Sequence, residues 1–376
     1  MKALFIYSRT EKNLAESGEA KKALMQVGAL NRLGVETKIV WHDRTGFANK
    51  LWVRIPLFMN YSKKFRQQII IECRHHDFVY IRKDIFDLSF LLMIKGIKKE
   101  TQSKIVVEIP TFPYDKEWLN YKDWPMLVKD RLARHFLHHY IDKIVLCAPI
   151  SEKVFEVPTI IIGNGIDTCT VRRKDWISDD VDTIKLLGVA CVEKWHGYDR
   201  MIRGLQTYYS QCEERQKVEF HIVGNGSVIK KLKRQVSASH LERYVFFHGP
   251  LYGKELDEMF DKCDIGVASL AAFRKGIVKG RELKLREYMA RGIPFVYSND
   301  DADIEKTGFL CGLKVPHDES PINVEEIVTF YHKILDDKLK KDELTRRMNQ
   351  YAKDYLSWEN QLQSVYEYMS TTFNSL

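Results

Sequence analysis

Arg281-Glu-Leu-Lys-Leu-Arg-Glu-Tyr-Met-Ala-Arg-Gly-Ile-Pro-Phe-Val-Tyr297 reads as a short charged helix that stops at Arg291-Gly292 and turns into a buried strand. Gly292 can take the left-handed conformation that closes a helix, and Pro294 forbids continuation. Helical spacing puts Lys284 and Glu287 three residues apart on one face, near the helix start. Backbone N–H groups, a lysine and a carboxylate at such a place suit a ligand with both phosphate and sugar hydroxyls. A solvated amphipathic helix would have the same composition, so the rest of the chain must decide.

Outward from this stretch, strand-like and helix-like segments alternate. Ile184–Val189, Val218–Val223, Val245–His248, Asp264–Ala268 and Phe295–Tyr297 read as buried strands, with helices at 198–209, 228–238, 254–262 and 282–291. The first half has the same layout. Strands are expected at 3–7, 35–40, 78–81, 104–109 and 143–147, and helices at 19–33, 87–99 and 129–140. This alternation predicts right-handed βαβ crossovers and mostly parallel sheets covered by helices on both faces. It pauses over Ala148–Asp167, where Pro149, Pro158, Gly163 and Gly165 punctuate the chain. The expected α/β organisation is a Rossmann-like domain over 1–150, a linker over 151–170 and a second Rossmann-like domain over 171–350. A helix at 351–376, with Trp358 and Leu362–Tyr368, packs back on the first domain. The last roughly 50 residues read as helices with no sixth strand pattern. Two such sheets facing each other would form a cleft at their carboxyl ends, where open α/β sheets bind ligands.

The 376 residues are 45% hydrophobic and 29% charged, with no low-complexity tract. That supplies two full cores and argues against extensive disorder. No stretch approaches the roughly 20 apolar residues of a membrane-spanning helix. The apolar run at Met1–Ser8 is too short for a signal peptide and reads as a first strand. Seven scattered cysteines, without a CxxC pair, fit a reduced, cytoplasmic protein. A net charge of +8 implies an anionic partner, whether nucleotide, nucleic acid or anionic lipid.

Three turns carry candidate chemistry. Ile160-Ile-Ile-Gly-Asn-Gly-Ile-Asp167 ends a strand in a glycine-rich turn, by itself a structural signal. Phe220-His-Ile-Val-Gly-Asn-Gly-Ser227 runs from strand to helix through Gly224 and Gly226, a possible diphosphate cradle. In Lys194-Trp-His-Gly-Tyr-Asp-Arg200, Lys194, His196 and Arg200 could meet a pyrophosphate; the alternative is a solvated loop anchored by Trp195.

In this order and spacing, with His248-Gly-Pro-Leu251 and the Leu283–Phe295 run, these segments resemble the second domain of glycosyltransferase family 4. The resemblance covers roughly residues 150–310, most specifically 281–295. Its segments 195–200 and 283–288 look like those of bacterial cell-surface and capsular polysaccharide members. The first domain is similar in layout and in Val107-Glu-Ile-Pro-Thr-Phe-Pro-Tyr-Asp115. The resemblance implies a GT-B fold and a retaining, metal-independent reaction, with a nucleoside diphosphate sugar as co-substrate and no other cofactor.

Residue by residue, the family's ribose-binding glutamate falls on Glu287, an acceptor-only carboxylate that suits a vicinal diol. Where the family often carries an arginine and a lysine for the diphosphate, this chain has Ala190-Cys191 and His196-Gly197. Lys194 and Lys284 are the expected substitutes, with His196 as a hydrogen-bond donor. The first of the family's paired glutamates falls on Lys279, and Glu282, three residues later, is the candidate for the donor sugar. Fixed cations would stabilise charge building on the leaving diphosphate, each contributing a few kcal/mol. In similar retaining enzymes the leaving phosphate itself is thought to take the acceptor proton, so no dedicated base is required. In the first domain Gly18 alone matches the family's Gly-Gly turn. Ser17 or Gly18 could approach the sugar or diphosphate, or simply start a helix. Glu108 and Thr111 are the candidate acceptor contacts.

His135 and His139, one turn apart on a helix, could chelate zinc. They have no acidic or cysteine partner at a convincing spacing, and Lys129, Arg131 and Arg134 point to a basic surface, so no metal is expected. Lys50-Leu-Trp-Val-Arg-Ile-Pro-Leu-Phe-Met59, followed by Lys63-Lys-Phe-Arg66, mixes aromatics with cations. That pattern suits either an anionic bilayer surface or an ordinary domain edge.

The expected function is hexose transfer from a nucleoside diphosphate sugar, UDP-linked, to a glycan or lipid-linked glycan acceptor in surface polysaccharide synthesis. The expected location is cytoplasmic, peripheral at the inner face of the membrane. One alternative is a GT-B nucleotide-sugar 2-epimerase, which needs an acid and a base carboxylate around the sugar. Another is a non-catalytic nucleotide-sugar-binding protein, favoured by the missing cations. No nucleic acid is expected, since the basic residues are dispersed and no recognition module is present.

Overall fold

The computed structural model describes residues 1–8, 18–42, 60–115, 124–147, 152–176, 182–211, 215–335 and 338–375. Ser17 and the Lys50–Met59 stretch lie outside the described residues. The chain divides into two compact units, Met1–Gly165 with Trp358–Leu376, and Ile166–Ser357.

The first unit contains β1 (Lys2–Tyr7), α1 (Gly18–Arg32), β2 (Glu36–Trp41), α2 (Lys63–Cys73), β3 (Phe78–Arg82), α3 (Leu88–Glu100), β4 (Lys104–Ile109), α4 (Trp124–Arg134), β5 (Lys143–Leu146), β6 (Lys153–Val154) and β7 (Val157–Ile161). Its sheet has the order β2-β1-β3-β4-β5-β7-β6 and is parallel except for the β6–β7 pair. Successive strand residues point to opposite faces, so each strand feeds two cores. Phe5, Tyr80 and Val106 pack with Ala23 and Leu30 of α1 on one face; Ile6, Ile81 and Val107 pack with Ile69 of α2 and Phe90 of α3 on the other. The expected helix at 129–140 is two pieces, α4 and a separate 3₁₀ turn at Leu137–His139. His135 and His139 therefore do not share a continuous helix, and no cluster able to hold a metal occurs among the described residues. At the start of α2, Lys63 and Lys64 are exposed while Phe65 turns inward, its ring 4.4 Å from that of His42.

The second unit contains β8 (Thr183–Val189), α5 (Tyr198–Gln211), β9 (Lys217–Val223), α6 (Ile229–Ala238), β10 (Val245–Gly249), α7 (Gly253–Lys262), β11 (Ile265–Val267), α8 (Leu283–Arg291), β12 (Phe295–Tyr297), α9 (Ala302–Glu305), β13 (Gly312–Lys314), α10 (Val324–Leu335) and α11 (Lys338–Tyr355). Its sheet is wholly parallel, in the order β10-β9-β8-β11-β12-β13. A sixth strand, β13, only three residues long, precedes the helices α10 and α11. The winding direction reverses at β8, so the crevice beyond the carboxyl ends of β8 and β11 is the topological switch point.

The stretch that opens the sequence folds as its chemistry dictates. Gly292 has φ 76°, and the N–H groups of Gly292 and Ile293 both donate to the Tyr288 carbonyl, at 2.9 and 3.0 Å. A Cβ at Gly292 would also lie 2.6 Å from the Thr345 carbonyl oxygen, so close packing of α11 demands glycine as well. Arg286 and Arg291 are both buried on α8. Arg286 is fully buried in ion pairs with Asp301 and Asp303, tying α8 to the segment after β12.

After the second unit the chain returns to the first through α12 (Trp358–Gln361) and α13 (Gln363–Asn374). Trp358, Leu362, Val365 and Met369 fill the α1 face of the first sheet.

Candidate functional site

The loops leaving β8 and β11 converge with the start of α8 in the second unit. Lys284 has its Nζ buried with no hydrogen-bond partner among the described residues, 5.6 Å from the Tyr198 ring centre. Burial pulls its pKa down to about 8, against the opposing effect of Glu282. Glu282 precedes α8 but does not cap it. Its Oε2 instead accepts from the Ser269 N–H at 3.2 Å, while Oε1 is buried and unpartnered. Burial pushes this carboxyl up, and Lys284 holds it down. The Tyr198 hydroxyl is a third buried polar atom with no partner among the described residues. Unmet buried groups cost roughly 1–3 kcal/mol each. Three around one crevice mark a place that a polar ligand would complete.

His196 lies in a 3₁₀ turn, Lys194–His196, beside this cluster. Its Nδ1 accepts from the Glu193 N–H at 2.9 Å, which leaves the ring proton on Nε2. Burial, then Lys284 and Lys275, push its pKa down to about 2. The ring is thus a neutral donor. Glu287, one turn after Lys284, is half-buried, and its Oε1 accepts from Arg291 Nε at 3.0 Å. Arg291 is held in turn by Asp257 at 2.6 Å. Lys194 is exposed and lines a neighbouring cavity of about 240 Å³ with Asp199, Lys231 and Arg274. That cavity lies on the α6 side of the loop, so Lys194 and Lys284 serve adjoining spaces.

The structure corrects three expectations in this unit and the next. A Cβ on Gly224 would lie 1.8 Å from the Ala190 carbonyl oxygen, and one on Gly226 2.0 Å from that of Val192. The Gly224 N–H donates to Gly249 and the Gly226 N–H to the Asn225 side chain, at 2.7 and 2.9 Å. These glycines let two loops lie backbone to backbone, and their N–H groups are spent within the protein rather than cradling phosphate. Arg200 is fully buried, donating to the carbonyls of Ser320, Pro316 and Leu270, so it does not face a pyrophosphate. Trp195 is an anchor, with Lys275 Nζ 3.6 Å over its ring.

In the first unit Gly18 opens α1. Glu108 is fully buried, accepting from Gln26 Nε2 at 2.8 Å and Tyr80 OH at 2.7 Å, with Lys22 Nζ 3.3 Å away. It ties α1 to β4 and is not an acceptor contact, a correction forced by its burial. Lys22 also donates to Asn164 Oδ1 at 2.8 Å, which gives the glycine-rich turn a structural role. Thr111 is exposed just beyond the carboxyl end of β4. Its loop is anchored by Tyr114 OH donating to Asp130 at 2.6 Å. Tyr198, Ser269 and Arg291 escaped the sequence reading. Only Arg291, one turn after Glu287, carried a local signal.

Residues 183–332 match the family model for glycosyl transferases group 1. This span runs from β8 into α10 and contains every group of the buried cluster. Among solved structures, sucrose-phosphate synthase from Thermosynechococcus elongatus aligns over 100% of both chains, with TM-score 0.68 at 12% identity. The lipopolysaccharide outer core galactosyltransferase WaaB aligns over 98% of this chain and 99% of its own, with TM-score 0.55 at 15% identity. The E. coli trehalose-6-phosphate structure bound with UDP-2-fluoro glucose aligns over the same shares, with TM-score 0.58 at 12% identity. At these identities the likeness is one of fold, and that fold is GT-B, two Rossmann-like α/β units. No curated protein sequence matches this chain. The family match and the fold together support a sugar-transferring enzyme.

Proposed function

We propose that this protein is a retaining, metal-independent glycosyltransferase that moves a hexose from a UDP-linked sugar to a glycan or lipid-linked glycan acceptor in surface polysaccharide synthesis. The observation that carries the reading is Lys284, a buried amine without a partner at the switch point, flanked by Glu282 and Glu287. An arriving diphosphate would complete the amine and draw it to the fully charged state. That cation then meets the charge that grows on the β-phosphate as the glycosidic bond breaks. The Nε2–H of His196 donates to the same diphosphate, and Lys194 adds charge at its exposed end. Glu282 Oε1 accepts from a donor-sugar hydroxyl, while the second oxygen of Glu287 accepts from the ribose diol. The leaving phosphate takes the acceptor proton, so no protein base is assigned. Thr111 is the candidate acceptor contact. A lipid-linked acceptor would be met at the inner face of the cell membrane.

The test is a panel of UDP-, GDP- and ADP-sugars, read by thermal shift and by slow release of nucleoside diphosphate. A shift with release for one UDP-sugar, weakened by Glu287→Ala, is the expected result. A shift without release, even with acceptors added, would favour a binding protein. Conversion of the sugar without any acceptor would make it an epimerase. Silence toward every nucleotide sugar would overturn the reading.

A further inference from the structure

Between β11 and α8 the chain runs through a 3₁₀ turn, Ala272–Lys275, and then an irregular loop, 276–282, that ends on Glu282. The path of this loop decides where the Glu282 carboxylate stands. It is held from two sides. The Gly280 N–H donates to the Asp300 carbonyl and the Asp300 N–H to the Val278 carbonyl, each at 3.0 Å, a bridge to the segment beyond β12. The second hold comes from beyond β13, where His317 Nε2 donates to the Ile277 carbonyl at 3.0 Å.

The other ring nitrogen leads to Glu282 itself. His317 Nδ1 lies 3.2 Å from Ser298 Oγ, which donates to the Ser269 carbonyl at 3.1 Å. The Ser269 N–H in turn donates to Glu282 Oε2 at 3.2 Å. The Ile277 carbonyl only accepts, so Nε2 carries a proton; a neutral Nδ1 then shares the one Ser298 hydroxyl proton with Ser269. Ser269 and Ser298 are both buried, so their polar atoms depend on protein partners. Phe273, in the 3₁₀ turn, meets the His317 ring edge-on at 5.2 Å between centres. Next to Ser269, the Leu270 N–H donates to the His196 carbonyl at 2.9 Å, tying the same segment to the turn that carries the neutral His196 donor. His317 thus grips the loop at Ile277 directly and at Glu282 by relay. Both of its ring nitrogens are spent on the protein, which makes it a holder of the site and not a contact of substrate.

We infer that His317 is a positioning residue for the donor sugar, aiming Glu282 through Ser298 and Ser269 while it clasps the loop at Ile277. The inference rests on the reading of Glu282 as the donor-sugar contact and adds the residue that aims it.

The test reads nucleotide binding and turnover separately on the full chain, with UDP and with the UDP-sugar that the parent hydrolyses. His317→Phe keeps a ring against Phe273 and removes both hydrogen bonds. It should lower kcat/KM for nucleoside diphosphate release about tenfold and leave the Kd for UDP within about twofold. His317→Gln, whose amide can donate to Ile277 and accept from Ser298, should recover most of the loss. Ser298→Ala cuts the relay one link later and should reproduce the loss; it serves alone if His317→Phe does not fold. In a double-mutant cycle, adding His317→Phe to Glu282→Gln should lower kcat/KM no further, because both act through one carboxylate. The inference fails if His317→Phe and Ser298→Ala turn over like the parent. It fails equally if UDP binding weakens by the same factor as turnover, which marks a general loosening of the unit, or if the two losses multiply in the cycle. A parent that processes no nucleotide sugar defeats the donor reading itself, and that is seen before any variant is made.

Discussion

Glu282 and Lys284 bracket the first turn of α8, and each buries a polar atom that no other described residue meets. A site held open in this way sacrifices stability for function. Lys284→Met keeps the length of the side chain and removes the unmet charge. It should raise the melting temperature, by an amount reflecting roughly 1–3 kcal/mol, while lowering kcat/KM by about 10²- to 10³-fold. Thermal unfolding and steady-state kinetics on one preparation check both halves. A variant that is less stable yet fully active would refute the assignment.

The depressed pKa of Lys284 has a definite sign. Its folded value of about 8 lies below the ordinary 10.5, so the unfolded chain holds more protons between these values and stability rises with pH across that window. Donor affinity runs the other way, falling as pH passes about 8 and the cation is lost. Binding near pH 8 should therefore take up a proton, visible by calorimetry in buffers of different ionisation enthalpy. Lys284→Met should abolish the uptake.

His196 gives the opposite limb. Its folded pKa of about 2 is well below the ordinary 6.5, so acidification from 6.5 downward protonates the unfolded chain first and stability falls. The contribution is fully present above pH 6.5. His196→Asn should flatten the acid limb of a melting-temperature profile. It should also destabilise the turn, because the Glu193 N–H loses its acceptor.

Gly224→Ala should be severely destabilising. Gly224 has φ 117°, and the new Cβ would collide with the Ala190 carbonyl. Gly34 also has positive φ, at 91°, but nothing stands within 4 Å of its Cβ position. Gly34→Ala should cost about 1 kcal/mol, and Gly224→Ala at least twice that. Denaturant unfolding of the two variants separates strain from collision.

Glu108→Gln tests whether its role is structural. Breaking a buried pair leaves Lys22 uncompensated, and the expected loss is roughly 3–5 kcal/mol. The KM for acceptor should not change in the fraction that remains folded. A selective rise in that KM would restore Glu108 as an acceptor contact.

The fold was legible because its signals are local. Strand alternation, the Gly292 cap and Pro294 each act within a few residues, and the spacing of Lys284 and Glu287 already placed them on one face. What escaped depends on distant chain. Gly224 and Gly226 looked like a phosphate cradle because the loop that needs them small, 190–192, lies a whole βα unit earlier. Arg200 read as a pyrophosphate candidate because the carbonyls that hold it follow it by 70 to 120 residues. Glu108 could have been read as buried from its place within Val106-Val107-Glu108-Ile109, but its partner Lys22 could not. β13 is too short to show any alternation.

The last helices give the chain a built-in order of assembly. Because Trp358, Leu362, Val365 and Met369 complete one face of the first sheet, residues 1–165 leave the ribosome with that face only partly covered, by α1. The unit 166–357, continuous in sequence, can condense while the earlier one waits for its final pieces. Interrupted synthesis would thus yield a chain with a finished second unit and a greasy, unfinished first one, a natural target for proteolysis. Maturity of the amino-terminal half is certified by the carboxyl terminus.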